Sequence, residues 1–404
     1  MSFEVFNFDP KITAGVRALG YAEPTPIQLQ AIPPVLEGRD IIGLAQTGTG
    51  KTAAFALPIS QRLLGGRKGV IRAAIISPTR ELAEQTSDTF SQLGKQTGLR
   101  SMAIYGGVSM GQQTFRLRRG VEVVVACPGR LLDHLRRGSV DLSHVEILVI
   151  DEADRMFDQG FLPDVRSILS FMKQQHQTLF FSATMPDDVR KLSKDILHDP
   201  VTVQIGRGAP ATTVSHALYP VKPHLKTDLL VKLLRETTTE SVLVFTRTKH
   251  RTESVAKRLQ EEGFRATSLQ GNLSQPRRQA ALNGFRTGSY KIMVATDIAA
   301  RGIDVLRISH VINYDMPDGT DAYIHRIGRT GRIGKNGDAL TFVTGEDGAA
   351  IRDLERLLNT RLELHRVPGF DYAVSAPPRT QRPPIGVYRP MRRPMALRPS
   401  FRNA

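Results

Sequence analysis

Short, nearly unbroken apolar runs recur along this chain, separated by longer stretches with helical spacing of apolar side chains. The runs Asp40 to Leu44, Ala73 to Ser77, Val121 to Ala126, Glu146 to Ile150 and Thr178 to Phe181 are short and mostly rich in β-branched residues, so they predict strands. A strand that is apolar at consecutive positions must be covered on both faces, which points to parallel sheets packed between helices. The rhythm restarts with Val242 to Thr246, Ala266 to Leu269, Lys291 to Thr296, His310 to Tyr314 and Ala339 to Val343. Between the two sets lies Gly206-Arg-Gly-Ala-Pro-Ala211, a glycine and proline cluster that predicts a linker. After about Val367 the periodicity stops, and Gly369 to Ala404 is rich in proline and arginine with few residues able to build a core. The expected class is α/β: parallel-sheet domains over residues 1–206 and 218–367, a linker at 207–217, and a disordered basic tail at 368–404.

Length and composition agree with two domains, since 404 residues with 40% hydrophobic side chains can bury more than one core. Lysine and arginine number 55 against 39 acidic residues, and the net charge of +16 calls for an anionic partner, nucleic acid first. Cys127 is the only cysteine, so neither an internal disulfide nor a thiolate metal cluster can form, which suits the cytoplasm. The opening MSFEVFNFDPK has no basic stretch followed by an apolar one, and no run of about eighteen apolar residues lacks a charge, so neither secretion nor membrane insertion is expected.

Candidate chemistry begins with Ala45-Gln-Thr-Gly-Thr-Gly-Lys-Thr52, placed between a predicted strand and a helix. Backbone N–H groups in such a loop can surround phosphate oxygens, and Gly48 and Gly50 permit the close approach. Lys51 would neutralise the β- and γ-phosphates and the Thr52 hydroxyl would ligate Mg²⁺. Alanine at position 45 replaces the first glycine of the usual phosphate-loop pattern, and it is small enough to pass. The alternative is an ordinary glycine-rich turn. Asp151-Glu-Ala-Asp154 follows the run Val145 to Ile150 directly. That spacing sets its carboxylates at the carboxyl edge of a sheet, where parallel α/β folds bind ligands. Asp151 could hold Mg²⁺ through water, and Glu152 could accept the proton of an attacking water. The plainer reading is a helix N-cap with an acidic first turn.

With these motifs in place, the sequence from Phe3 to about Val367 resembles the DEAD-box RNA helicases, in motif order and without a gap. The resemblance implies two tandem RecA-like domains, ATP with Mg²⁺ as cofactors, and RNA as partner. Gly20-Tyr-Ala-Glu-Pro-Thr-Pro-Ile-Gln28 is similar to the family's adenine-reading element, with Phe3 in the position of its stacking aromatic. A glutamine amide offers one donor and one acceptor, which match the N6 and N7 of adenine; on its own Gln28 would read as a solvated helix residue. The nucleotide would rest on Gly48, Thr49, Gly50, Lys51 and Thr52. Pro78-Thr-Arg-Glu-Leu-Ala83, Gly106-Gly107 and Pro128-Gly-Arg130 resemble strand-binding motifs, in which Arg80, Gly107 and Arg130 suit phosphate contacts that read no sequence. Cys127 stands where the family usually has threonine, and a thiol is a weaker hydrogen-bonding group.

Ser182-Ala-Thr184 resembles the motif that couples hydrolysis to strand separation, its hydroxyls bridging Asp154 to the second domain. In that domain Gln275 and Thr296 would touch RNA and Asp304 the ribose of the nucleotide. His325-Arg-Ile-Gly-Arg-Thr-Gly-Arg332 would supply His325 for coupling and Arg329 and Arg332 as arginine fingers. Such a finger is worth roughly 10³ to 10⁵ in rate. The general form looks like the bacterial RhlE-type branch. A monomer is expected, working in the cytoplasm alongside ribosome-assembly or RNA-degradation proteins. Two other readings fit the same motifs: an ATP-dependent RNA clamp that rarely unwinds, and a DNA-directed motor, since phosphate contacts do not distinguish the sugars.

Overall fold

The computed structural model describes residues 2–46, 48–205, 214–237, 241–300, 308–331 and 336–376. Among these residues the strands form two seven-stranded sheets, parallel throughout. The first holds β1 (Ile41–Leu44), β2 (Ala73–Ile76), β3 (Ser101–Ile104), β4 (Val123–Ala126), β5 (Ile147–Ile150), β6 (Gln177–Ser182) and β7 (Val201–Gln204), in the order β3-β4-β2-β5-β6-β1-β7. The second holds β8 (Val214–Pro220), β9 (Val242–Phe245), β10 (Ala266–Leu269), β11 (Ile292–Ala295), β12 (His310–Asn313), β13 (Gly337–Val343) and β14 (Glu363–Leu364), in the order β10-β11-β9-β12-β13-β8-β14. Both are RecA-like sheets.

The unbroken apolar runs are explained by what covers them. Successive side chains of a strand point to opposite faces. In β4 Val123 and Val125 enter one apolar core while Val124 and Ala126 enter another on the far side. In β9 Val242 and Val244 face one core, and Leu243 and Phe245 the other. The strands that the apolar pattern passes over are those without two covered faces: β3 and β7 close the first sheet, β14 is a two-residue edge, and β8 beside it is buried only at Val214 and Leu218.

Two boundaries differ from expectation. The second domain begins inside the expected linker at 207–217, because β8 starts at Val214 and pairs with β13 along its whole length; the cluster at 206–211 lies outside the described residues. At the other end, the expected break at 367 falls too early. Phe370 and Tyr372 pack on the second domain's core, Tyr372 Oη accepts from the Val367 amide at 2.9 Å, and His224 Nε2 donates to the Val374 carbonyl at 2.9 Å. The aromatic pair supplies apolar area that a proline-rich context hid. The rest of the expected tail, 377–404, lies outside the described residues. No described helix is long and apolar enough to cross a membrane.

The order of strands sorts the chemistry. β5, β6 and β1 are neighbours, and their carboxyl ends carry Asp151, Ser182 and the phosphate loop. Neighbours β3, β4 and β2 carry Gly106-Gly107, Pro128-Gly-Arg130 and Arg80.

Candidate nucleotide and strand-binding site

The phosphate loop leaves β1 at Leu44, and its Ala45 amide donates to the Ser182 carbonyl at 3.1 Å. Gly48 and Gly50 take φ of 87° and 97°, a region that favours glycine. At Gly50 a Cβ would also stand 2.6 Å from Gln28 Nε2. The helix Lys51–Leu63 follows at once, so its first amides and its dipole face the loop, while the Thr49 hydroxyl donates to the Gln46 carbonyl at 2.8 Å. Thr52 lies in the first turn of that helix. Lys51 is only 6% exposed, yet its Nζ has no hydrogen-bond partner, and neither has the buried Asp151 Oδ1. Burial pushes the Asp151 carboxyl up to about 7, against the pull of Lys51 and with the push of Glu152. Buried polar atoms are costly when unpaired. An ammonium and a carboxylate oxygen left in this state fit a phosphate with its Mg²⁺.

Glu152 follows β5 in the left-handed conformation, φ 57° and ψ 54°, which costs a non-glycine residue on the order of 1 kcal/mol. It is the N-cap of the helix Ala153–Asp158 but makes no capping bond with its side chain. Instead its Oε2 accepts from Arg155 Nη1 at 2.5 Å, both side chains 3% exposed. The plain capping explanation therefore fails at this residue. Asp154 turns the other way: its Oδ2 accepts from the Ala183 and Thr184 amides at 3.1 and 2.9 Å and from the Thr184 hydroxyl at 3.2 Å, while Ser182 Oγ accepts from the Asp154 amide at 3.1 Å. The Ser182 hydroxyl itself donates to the Thr184 carbonyl at 2.6 Å. The second domain reaches this point through His325, whose imidazole is held below its usual range by burial first and then by Arg155, against the pull of Asp154.

Gln28 is 4% exposed, so the solvated alternative is removed. Its Oε1 accepts from the Thr25 amide at 3.0 Å, closing a capping box on the helix Pro26–Leu36, and its Nε2 donates to the Gly50 carbonyl at 3.1 Å. The amide thus ties the adenine-reading segment to the phosphate loop. Phe3 is 7% exposed and belongs to the first domain's core; the Tyr21 ring stacks on it at 6.2 Å and Phe6 lies at 6.0 Å. One face of the expected stacking aromatic is therefore already occupied.

At the other half of the sheet, Arg80 and Arg130 converge on the glycine pair. A Cβ on Gly107, where φ is 84°, would lie 2.3 Å from Arg80 Nη1. A Cβ on Gly106 would lie 3.6 Å from Arg80 Nη2 and 3.9 Å from Arg130 Nη2. Arg80 Nη1 donates across the domains to Gln275 Oε1 at 3.0 Å, and Arg278 pairs with Glu81 at 2.7 Å with both side chains largely buried. Two expected strand contacts from different domains thus touch each other. Cys127 makes no capping bond, and burial, followed by Glu81, pushes its thiol up to about 12, so the side chain is a neutral thiol.

Thr296 follows β11 and is 8% exposed. Of the three arginines in the last motif, Arg326 is structural: it makes a forked pair with Asp297 at 2.6 and 2.7 Å and bonds Asn313 Oδ1 and the Asp315 carbonyl at 3.1 and 2.7 Å. Charge stabilisation of a substrate is therefore not the task of all three. Arg329 is 3% exposed, while Asp304 and Arg332 lie outside the described residues. Sequence reasoning passed over Arg155, Glu81 and Gln113. Arg155 had a signal, its spacing of three from Glu152; Glu81 meets its partner only in the folded chain.

The family description DEAD/DEAH box helicase matches residues 25–192, and that of the helicase conserved C-terminal domain matches 225–334. The ATP-dependent RNA helicase CshA of Listeria monocytogenes is 41% identical over 372 residues, 92% of this chain and 71% of that protein. The DEAD-box ATP-dependent RNA helicase CshA of Geobacillus kaustophilus is 39% identical, covering 92% of this chain and 80% of its own. These relatives give no support to the RhlE-type branch. Among solved structures, Saccharomyces cerevisiae Dbp5 bound to RNA and ADP BeF3 superposes with a TM-score of 0.80 at 31% identity, over 91% of this chain and 95% of that one. Phosphate loop, acidic motif and strand motifs stand at the strand ends of both sheets, and relatives over most of their length carry the same name: the chain belongs to the DEAD-box family of ATP-dependent RNA helicases.

Proposed function

We propose that ATP and a single RNA strand draw the two domains together, and that hydrolysis releases them, so that a duplex bound across the seam is locally melted. The carrying observation is the pairing of strand motifs across the domains, Arg80 with Gln275 and Glu81 with Arg278. In this reading Gln28 reads adenine beside Phe3, and Asp304 holds the ribose. The amides of Gly48, Thr49 and Gly50 cradle the phosphates with Lys51. Glu152, paired with Arg155, takes the proton of the attacking water. Arg329 and Arg332 meet the charge that develops on the γ-phosphate. Mg²⁺, held by Thr52 and through water by Asp151, would neutralise phosphate charge. RNA lies on Arg80, Gly107, Arg130, Gln275 and Thr296, and Asp154, Ser182, Thr184 and His325 couple the two sites. Opening a few stacked pairs costs only a few kcal/mol, within reach of such contacts. A monomer acting in the cytoplasm, near ribosome assembly or RNA degradation, belongs to this proposal.

The test is Glu152→Gln, assayed for ATP turnover and for strands separated per ATP on a duplex with a single-stranded extension. ATP and RNA should still bind while turnover falls at least ~10²-fold and strand separation goes with it. Near-normal turnover would remove Glu152 from the mechanism, and wild-type turnover without strand separation would favour the clamp.

A further inference from the structure

Arg130 does not face the strand path unaided. Its Nη1 donates to the Val108 carbonyl and to Gln113 Oε1, both at 3.0 Å. Gln113 belongs to the helix Met110–Leu117, is 5% exposed, and donates from Nε2 to the Tyr105 carbonyl at 3.1 Å. Tyr105 and Val108 bracket Gly106-Gly107, so one amide fastens the near side of the glycine loop directly and its far side through Arg130. The same Oε1 lies 3.1 Å from Nε2 of the fully buried His134. An amide oxygen only accepts, so the network puts the ring proton on Nε2. Nδ1 then accepts from Ser139 Oγ at 2.7 Å; that hydroxyl also lies 3.1 Å from the His134 carbonyl but has one proton to give. Burial first, and Arg130 next, hold this imidazole below its usual range, so it is neutral. If the Gln113 amide were rotated by half a turn, its N–H groups would meet the donors of both Arg130 and His134.

We propose that Gln113 and His134 are positioning residues for RNA capture: Gln113 staples the Gly106-Gly107 loop to Arg130, and His134 holds the amide in the one orientation that does so. The proposal rests on the reading of Arg130 as a strand contact. Residues that merely fill the core would alter stability without acting through Arg130, and that difference is measurable.

The experiment uses the full chain and a twelve-nucleotide oligouridylate, and reads the RNA concentration for half-maximal ATPase stimulation together with the maximal rate. Arg130→Ala and Gln113→Met should each raise the half-maximal concentration about tenfold, the scale of one lost hydrogen bond to a charged group. The double variant should be no worse than Arg130→Ala, because the two residues act through one contact. His134→Leu should resemble Gln113→Met, while His134→Gln, which keeps a donor near the Nε2 position, should restore tight RNA stimulation. If Arg130→Ala leaves the half-maximal concentration unchanged, the strand reading falls and the proposal with it. If Arg130→Ala weakens RNA but the double variant multiplies both losses to about a hundredfold, the strand reading stands and the positioning proposal is overturned. Should Gln113→Met fail to fold, the two His134 variants carry the test, and equal behaviour of leucine and glutamine there would overturn it.

Discussion

The amide of Gln28 makes two bonds at once, to the Thr25 amide and to the Gly50 carbonyl. One N–H and one oxygen lone pair remain for a base, the pair that adenine can satisfy and guanine cannot. Gln28→Ala should therefore weaken ATP binding and narrow the preference for ATP over GTP, by about 1 to 3 kcal/mol for the lost base contact. Equilibrium binding of both nucleotides measures it. Gln28→Glu keeps the acceptor that caps Thr25 and loses the donors to Gly50 and to the base together. An unchanged ATP to GTP ratio in Gln28→Ala would assign base reading elsewhere. Lys51 makes a comparable point: with its Nζ unpartnered at 6% exposure, this residue is held in readiness for a ligand rather than for the fold.

At the scale of elements, the last motif shows how a regular spacing hides different tasks. Arg326 and Arg332 are six residues apart, but Arg326 is locked by Asp297, Asn313 and the Asp315 carbonyl. Arg326→Ala should lower unfolding stability by about 2 kcal/mol, because it takes a donor from the buried Asn313 Oδ1 and Asp315 carbonyl while Asp297 keeps access to water. Arg332→Lys should leave the melting temperature near wild type and impair hydrolysis strongly, because lysine loses the planar fork. Chemical denaturation and ATPase assays on both variants check this, and a destabilised Arg332→Lys would make it structural. The central strands and the chemistry at their ends were legible, since β2, β4 and β5 are apolar on both faces and polar motif residues come directly after each of them. β3 and β7 escaped because they close the sheet, and the Phe370 and Tyr372 pair because proline and arginine dominate the residues C-terminal to it. The contacts of Arg80 with Gln275 and of Glu81 with Arg278 join residues 195 and 197 positions apart, a separation no local pattern reports. The packed aromatic pair changes how the tail is to be cut. Truncation after Pro368 should destabilise the second domain. Truncation after Ala376 should leave its melting point intact and remove seven arginines, lowering the slope of log RNA affinity against log salt by up to about five units. Melting curves and salt titrations on one labelled strand measure both, and superimposable salt lines would leave the tail without a part in RNA capture.

For the molecule as a whole, His325 links closure to pH. Burial and Arg155 keep its imidazole below the usual range in this arrangement, and a ring returned to water would titrate near about 6.5. The joined domains thus bind fewer protons at His325 than separated ones. Their association is supported above about pH 6.5 and loses that support as pH falls from there through the lowered value of the joined state. The RNA concentration for half-maximal ATPase should accordingly rise between pH 8 and pH 5.5, and His325→Gln should flatten the rise; an identical profile in that variant would place the titration elsewhere. The burial that raises the Cys127 thiol to about 12 has a consequence of another kind. Little of this thiol is ionised at pH 8, so the sole native thiol reacts slowly with alkylating reagents and peroxide. Cysteines introduced on the surface of either domain would react well before it with maleimide dyes, and the wild-type chain is already a background on which fluorescence transfer can track opening and closing in each catalytic cycle.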